Sequence, residues 1–115
     1  MSDIKLSVAL DEVSAADFAK YADKTLTVCS GNYKLKVALV ECVERPKSTG
    51  YDAKRTAFRL IFRSEEAEPH PLLDNPSYNC MITELDIEDI GPVLINRIMR
   101  PIEFGPGIYL QVSFN

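Results

Sequence analysis

The stretch Thr56-Ala57-Phe58-Arg59-Leu60-Ile61-Phe62-Arg63 alternates between two kinds of side chain. Phe58, Leu60 and Phe62 fall on one side of an extended chain, whereas Arg59 and Arg63 fall on the other. A period of two residues is typical of a β-strand that buries one of its faces. The stretch therefore predicts a half-buried strand over residues 56–63.

The same period recurs on both sides of this strand. In the segment 33–44, Leu35, Val37, Leu39 and Val43 share one face, and Glu41 interrupts that face. An acidic residue at an inward position predicts the end of the sheet or a β-bulge near Glu41. Further strands are predicted over residues 4–10, 25–29, 78–85, 93–100 and 108–115, with a turn at 30–32, polar loops at 45–55 and 64–77, and a break in regular structure at Gly91-Pro92.

One segment departs from the strand pattern. In residues 11–22, Ser14 is followed three positions later by Asp17, which resembles a capping box. Val13 and Phe18 are placed to form a hydrophobic staple across the helix start. Four alanines in the segment favour helix intrinsically. The pattern predicts one short helix of about two turns.

Seven predicted strands and one short helix indicate the fold class. Strands that recur every ~10–20 residues, without long helices between them, are typical of barrels and sandwiches. We predict an all-β fold with one short α-helix near the N-terminus: an antiparallel, partly closed β-barrel or a two-layer sandwich of about six or seven strands. With 115 residues, positions 1–115 form a single domain.

Composition excludes several partners. The formal net charge of −4 lacks the basic excess of a nucleic-acid-binding domain. No apolar run approaches the ~20 residues of a membrane span, so no membrane association is expected. Three cysteines without metal-ligand spacing, and no signal-peptide pattern at the start, favour a reduced cytoplasmic protein.

The candidate chemical groups favour structural interpretations. A single histidine, His70, lies between two prolines and is expected to be solvated, with no other histidine to complete a metal site or a catalytic pair. We expect solvated acidic residues in a turn at Asp86, Glu88 and Asp89, since the spacing of an EF-hand calcium loop is absent. The cysteines Cys29, Cys42 and Cys80 fall in predicted strands as small apolar fillers. We therefore expect no enzyme activity, catalytic residue, metal or cofactor.

The order of motifs in the second half resembles a known family. Phe58-Arg59-Leu60-Ile61-Phe62-Arg63 is similar to its F-x-L-x-F-R strand, Tyr78 to Leu85 to a Y-x-x-x-x-x-x-L strand, and the end of the chain to a terminal Y-x-x-x-F-N. Here Tyr109 and Phe114 have one more residue between them, and Asp74-Asn75-Pro76-Ser77 replaces a more usual Pro-x-Gly turn. The family comprises short bacterial β-rich proteins known as a domain of unknown function, sometimes encoded beside phage-tail-collar-like proteins. The resemblance implies a small β-rich domain without an established activity, and it points toward particle or secretion assembly.

Apolar residues on both faces of the late strands predict a second layer. Ile61 lies between Arg59 and Arg63, and the segment 93–100 places Ile95 and Met99 opposite Leu94 and Ile98. The second layer is the helix, a folded-over sheet or another subunit. We predict an interface at Arg59, Ile61, Arg63, Ile95 and Met99.

Two functions follow as expectations. The first is a non-enzymatic protein-interaction or assembly module whose partner is a protein, with a second copy of this chain as the favoured one. The alternative is a small-molecule-binding β-barrel, with an apolar ligand in its mouth near Tyr21, Tyr78 or Tyr109.

Overall fold

The computed structural model describes residues 13–44, 56–65, 70–74, 76–85, 89–99, 101 and 103–114. The strand predicted over 4–10 and the loop predicted over 45–55 lie outside these residues. The described elements, in chain order, are α1 (Ala16–Ala19), β1 (Thr25–Ser30), β2 (Tyr33–Glu44), β3 (Phe58–Ser64), α2 (Pro71–Asp74), β4 (Ser77–Thr83), β5 (Ile90–Ile98) and β6 (Tyr109–Phe114).

The described strands form a closed antiparallel barrel in the order β1-β2-β3-β6-β5-β4. Two three-stranded meanders, β1-β2-β3 and β4-β5-β6, are joined where β3 pairs with β6 and where β1 pairs with β4. This arrangement confirms the predicted all-β class. Of the two predicted architectures, the barrel and the sandwich, the described strands form the barrel. A closed barrel leaves no unpaired strand edge, so its backbone groups are satisfied around the whole circumference.

The barrel interior is filled with side chains, as expected for so few strands. The inward positions of β3 are the ones that alternation predicts: Phe58, Leu60 and Phe62 are buried. The short helices contribute Phe18 from α1 and Leu72 and Leu73 from α2 to the same core. Further members of this cluster come from every strand and include Leu26, Val28, Leu35, Val37, Leu39, Cys80, Ile82, Ile95, Leu110, Val112 and Phe114.

A β-bulge in β2 reverses which residues face inward. The register with β3 shifts between Leu39 and Glu41, as the interruption at Glu41 predicts. Beyond the bulge Cys42 pairs with the inward residue Leu60, and Val43 pairs with the outward residue Arg59. The prediction that Val43 shares a face with Leu39 was therefore wrong, because one extra residue changes the parity of the strand.

Gly91-Pro92 does not end regular structure but lies inside β5. The register with β4 shifts between Cys80 and Ile82, so this dipeptide occupies a bulge opposite Met81. Gly91 has φ 148°, and a Cβ atom there would lie 2.6 Å from the Cys80 carbonyl oxygen. Glycine accommodates the close approach of β4, which allows the strand to continue through a proline.

Both helices differ from the prediction. Helix α1 has only four residues, because Asp23 adopts φ 65° and its backbone N–H donates to the Leu39 carbonyl of β2, which leads the chain into β1. One of the two hydrogen bonds of the capping box is present: the Ser14 backbone N–H donates to Asp17 Oδ2 at 2.9 Å. Helix α2 lies within the segment 64–77, which was predicted to be loop throughout.

Candidate functional site

The five residues predicted as an interface do not form one surface. Ile95 is fully buried inside the barrel, so no partner can reach it in this fold. Ile61 faces outward between Glu41 and Gln111 in the register, yet only 2% of its surface is exposed. Met99 follows β5 and is 92% exposed.

The outer face of β3 and β6 is covered in part by the chain itself. The Tyr109 ring is buried beneath residues 103–107, stacks on Phe104 with ring centroids 5.7 Å apart, and donates its hydroxyl proton to the Gly105 carbonyl at 2.6 Å. This segment supplies an intramolecular second layer. It explains why an outward-facing residue of β6 carries so large an aromatic side chain.

The two arginines of this face lie in different environments. Arg59 donates from Nη1 to Gln111 Oε1 at 3.4 Å, and Gln111 in turn donates from Nε2 to Ser113 Oγ. Arg63 is exposed, and its aliphatic stem lies beside Gly107. The pair does not converge on a shared pocket in the described part of the chain.

His70 is a structural clamp, which corrects the expectation of a solvated loop histidine. Its Nδ1 accepts the backbone N–H of Leu72 at 3.0 Å, which caps the start of α2. Its Nε2 lies 2.7 Å from the Lys34 carbonyl oxygen. Because a carbonyl only accepts, Nε2 must carry the ring proton, and the ring is the neutral tautomer. The histidine therefore ties α2 to the beginning of β2.

The three cysteines are free and lie in strands, as predicted. Burial raises the pKa of Cys42, and its thiol lies 3.7 Å from the Ala15 carbonyl, to which it donates. Burial also raises the pKa of Cys80 to about 12, with nearby Cys29 adding to the shift. A nucleophilic cysteine requires the opposite shift, because the thiolate is the reactive form.

No metal centre is assembled from the described residues: no three His, Cys, Asp or Glu side chains among them could hold a metal ion together. Of the three predicted turn acids, Asp86 and Glu88 lie outside the described residues. Asp89 is exposed and precedes β5.

One concave feature is a groove on the outer face of β1 and its neighbours, which we call the β1–β4 groove. Its volume is about 610 Å³, and it is lined by Thr27, Cys29, Lys34, Lys36, Met81, Thr83, Glu84 and Asp89. The register explains the lining, since Cys29 pairs with Lys34 on one side and with Met81 on the other. Two lysines form one side of the groove and two acids form the other. No sequence pattern points to this feature, because alternation alone cannot show that β2, β1 and β4 are neighbours or that Glu84 and Asp89 lie beside them.

A second cleft lies where the β1–β2 turn meets α2, and we call it the Tyr78 cleft. Its volume is about 420 Å³, and it is lined by Ser30, Gly31, Asn32, Tyr33, Pro71, Leu72 and Tyr78. The other two tyrosines named as mouth residues lie elsewhere: Tyr21 is buried after α1, and Tyr109 is buried under residues 103–107.

In the described ranges, no helix has the length and apolar character to cross a bilayer. Comparison with protein-family models, with curated proteins and with solved structures found no significant match. The family resemblance of the motifs therefore stays a prediction.

Proposed function

We propose that this protein is a non-enzymatic interaction module that binds a second copy of itself through the β1–β4 groove. The observation that supports the proposal is the charge arrangement: Lys34 and Lys36 line one side of the groove, and Glu84 and Asp89 line the other. All four side chains are exposed, and no ion pair engages them within the described ranges.

A two-fold arrangement of two copies fits this pattern. In an isologous interface the same patch meets itself in the opposite orientation. The lysine side of one copy then faces the acidic side of the other, so attraction arises twice in one interface. Such complementarity favours this partner over surfaces of one sign and accelerates association.

The floor of the groove adds apolar area between the charged sides. Cys29 and Met81 are half-buried there and lie opposite each other across β1 and β4. Leu94 lies on the adjoining strand β5, opposite Asn79, and is 52% exposed. A stable interface buries roughly 1,000 Å² or more in total, which requires apolar area of this kind beyond the groove itself.

Closure of the barrel favours side-chain recognition over strand addition. Every described strand has two partners, so no edge is free to extend the sheet with a strand from another molecule. A partner must therefore bind through side chains on the outer face, and the β1–β4 groove, with a volume of about 610 Å³, offers a concave area for that contact.

Sedimentation equilibrium over a wide concentration range tests the proposal. The wild-type protein should show a monomer–dimer equilibrium that weakens as NaCl is added, because salt screens exposed charges. The variant Lys34→Glu/Lys36→Glu makes both sides acidic and should weaken the dimer at least tenfold. A wild-type protein that stays monomeric at all concentrations would contradict the proposal.

A charge-matched control separates the groove from a general charge effect. Lys24→Glu/Arg63→Glu changes the net charge by the same amount at two exposed residues that do not line the groove. This variant should dimerise like the wild type. Dissociation of the control with an intact dimer in the lysine variant would assign the interface to another face.

A further inference from the structure

The strand register fixes how far apart the two charged sides of the β1–β4 groove lie. Cys29 of β1 pairs with Lys34 of β2 on one side and with Met81 of β4 on the other. Adjacent strands lie about 4.8 Å apart, so the β2 and β4 backbones are separated by roughly 10 Å across β1. The acidic side begins where β4 ends, because Glu84 directly follows Thr83, the last residue of that strand. The groove therefore presents positive and negative groups about two strand spacings apart.

The floor between the charged sides is sheltered and uncharged. Thr27 lies on the outer face, between Lys36 and Thr83 in the register, yet only 7% of its surface is exposed. The Thr83 hydroxyl donates to the Thr27 carbonyl at 3.2 Å, which leaves the hydroxyl oxygen as an acceptor. Cys29 and Met81 are half-buried beside them. A ligand on this floor therefore meets charged groups only at the two sides of the groove.

Glu84 holds an unfavourable backbone conformation at the edge of the groove. Its φ of 70° lies in the left-handed region, which a residue with a Cβ atom rarely adopts. Such conformations persist where the surrounding structure fixes them, and they cluster at binding and catalytic sites. The Glu84 side chain is exposed, and no ion pair engages it within the described ranges. Its carboxylate is thus available to a positively charged group of a ligand.

We propose that the β1–β4 groove binds a short extended peptide with free ends. The terminal carboxylate of the peptide lies against Lys34 and Lys36, and its terminal ammonium lies against Glu84 and Asp89. An extended chain spans about 3.3 Å per residue, so a peptide of about three residues matches the separation of the two sides. A single amino acid holds its two charges too close together to reach both. The groove volume of about 610 Å³ is in the range of small-ligand sites.

The peptide and a second copy of the chain use the same charged sides and therefore compete. Binding of the peptide to one copy does not require self-association, whereas the competition rests on the proposed function. A peptide that occupies both charged sides screens them from the partner copy, so we expect peptide binding to dissociate the dimer. The groove then links self-association to the presence of free short peptides.

Titration with trialanine, followed by backbone amide NMR shifts, tests the proposal. Trialanine carries both terminal charges and no charged side chain, whereas N-acetyl-trialanine lacks the ammonium and trialanine amide lacks the carboxylate. We expect saturable shifts at Thr27, Cys29 and Met81 with trialanine, and at least fivefold weaker binding of each capped peptide and of free alanine. Binding should weaken as NaCl is added, because salt screens exposed charges. Equal affinity for the free and capped peptides, or shifts that do not saturate, would overturn the proposal.

Paired substitutions assign each end of the peptide to one side of the groove. Lys34→Gln/Lys36→Gln should weaken trialanine binding at least fivefold and leave the affinity for trialanine amide unchanged, because the amide has no carboxylate to lose. Glu84→Gln/Asp89→Asn should weaken trialanine binding by a similar factor and leave the affinity for N-acetyl-trialanine unchanged. If either variant weakens the free and capped peptides by the same factor, the terminal charges are not what the groove recognises.

A control variant and an oligomer measurement separate the peptide site from self-association. Lys24→Gln/Arg63→Gln removes two charges outside the groove and should leave trialanine affinity unchanged. Sedimentation equilibrium of the wild type with saturating trialanine should show monomer. A wild type that is monomeric throughout but binds trialanine would refute self-association alone. A dimer that does not bind trialanine would refute the peptide site alone, and a dimer that persists with the peptide bound would refute the competition.

Discussion

Phe58 of β3 and Phe114 of β6 stack face to face, with ring centroids 4.6 Å apart and ring planes 8° from parallel. The ring of Phe18 lies over both, at 6.0 Å from Phe58 and 5.7 Å from Phe114. The single turn of α1 thus covers the barrel where β6 ends. So short a helix has little stability of its own and depends on this packing.

Replacement of Phe18 by alanine should therefore destabilise the whole domain. Removing a fully buried phenylalanine costs about 3–5 kcal/mol through lost apolar burial and the cavity that remains. Urea denaturation measures the free energy of unfolding. Ala19→Ser, at an exposed position of the same helix, should change it by less than about 0.5 kcal/mol. A loss below about 1 kcal/mol for Phe18→Ala would place this ring outside the core.

The bulge in β5 makes a second prediction. A Cβ atom at Gly91 would meet the Cys80 carbonyl at 2.6 Å, whereas a Cβ at Gly105 would meet nothing within 4 Å. Gly91→Ala should therefore cost more than about 2 kcal/mol of unfolding free energy, because backbone must move and the φ of 148° is strained for alanine. Gly105→Ala is the matched control and should be nearly neutral. Similar melting temperatures for both variants would contradict the pairing of β4 with this bulge.

His70 should contribute through its two hydrogen bonds. His70→Ala removes the cap of α2 and the link to the Lys34 carbonyl, with an expected cost of about 1–2 kcal/mol. His70→Asn keeps an oxygen acceptor at the cap position and should recover part of that loss in thermal denaturation. If the alanine variant is as stable as the wild type, the histidine is solvated rather than clamped.

Burial of two titratable groups predicts a loss of stability at high pH. The pKa of Cys80 is raised to about 12 from an ordinary value near 9, and that of Tyr78 to about 12 from near 10. The folded state keeps protons that the unfolded state releases over these ranges. The stabilisation is therefore complete below pH 9 and declines progressively between pH 9 and pH 12.

The variant Tyr78→Phe removes the contribution of Tyr78 to this loss of stability at high pH. Urea midpoints measured from pH 8 to pH 11 should fall less steeply above pH 10 in the variant than in the wild type, because one titrating group is gone. Below pH 9 the two curves should run parallel. Identical slopes above pH 10 would mean that the Tyr78 phenol titrates normally in the folded protein.

Alternation was enough to predict the six described strands because one face of each is buried in the barrel. It placed Phe58, Leu60 and Phe62 correctly, and Glu41 pointed to the bulge in β2. It failed at Val43, since a one-residue bulge reverses parity and the sequence does not say on which side of the bulge the inward face resumes. It also failed at Gly91-Pro92, where the close approach of β4 lets a proline stay within a strand.

The candidate sites were less accessible to sequence reasoning. The β1–β4 groove has its lysine side on β2, its floor on β1 and β4, and its acidic side at Glu84 and Asp89. It therefore depends on the pairing of β1 with β4, which closes the barrel. Tyr78 was anticipated as a mouth residue, but its cleft also needs α2, which lies in a segment predicted to be loop. Ile95 was assigned to an interface because both faces of its strand are apolar, whereas the structure places it in the barrel core.

The most direct test of self-association through the β1–β4 groove is a mixing experiment with two charge-reversed variants, measured by light scattering after size-exclusion chromatography. Lys34→Glu/Lys36→Glu makes the groove acidic, and Glu84→Lys/Asp89→Lys makes it basic. Each variant alone should elute at the monomer mass of 12.9 kDa, and the equimolar mixture should elute at twice that mass, as the wild type should. A mixture that remains monomeric while the wild type dimerises, or a wild type that never dimerises, would contradict the account.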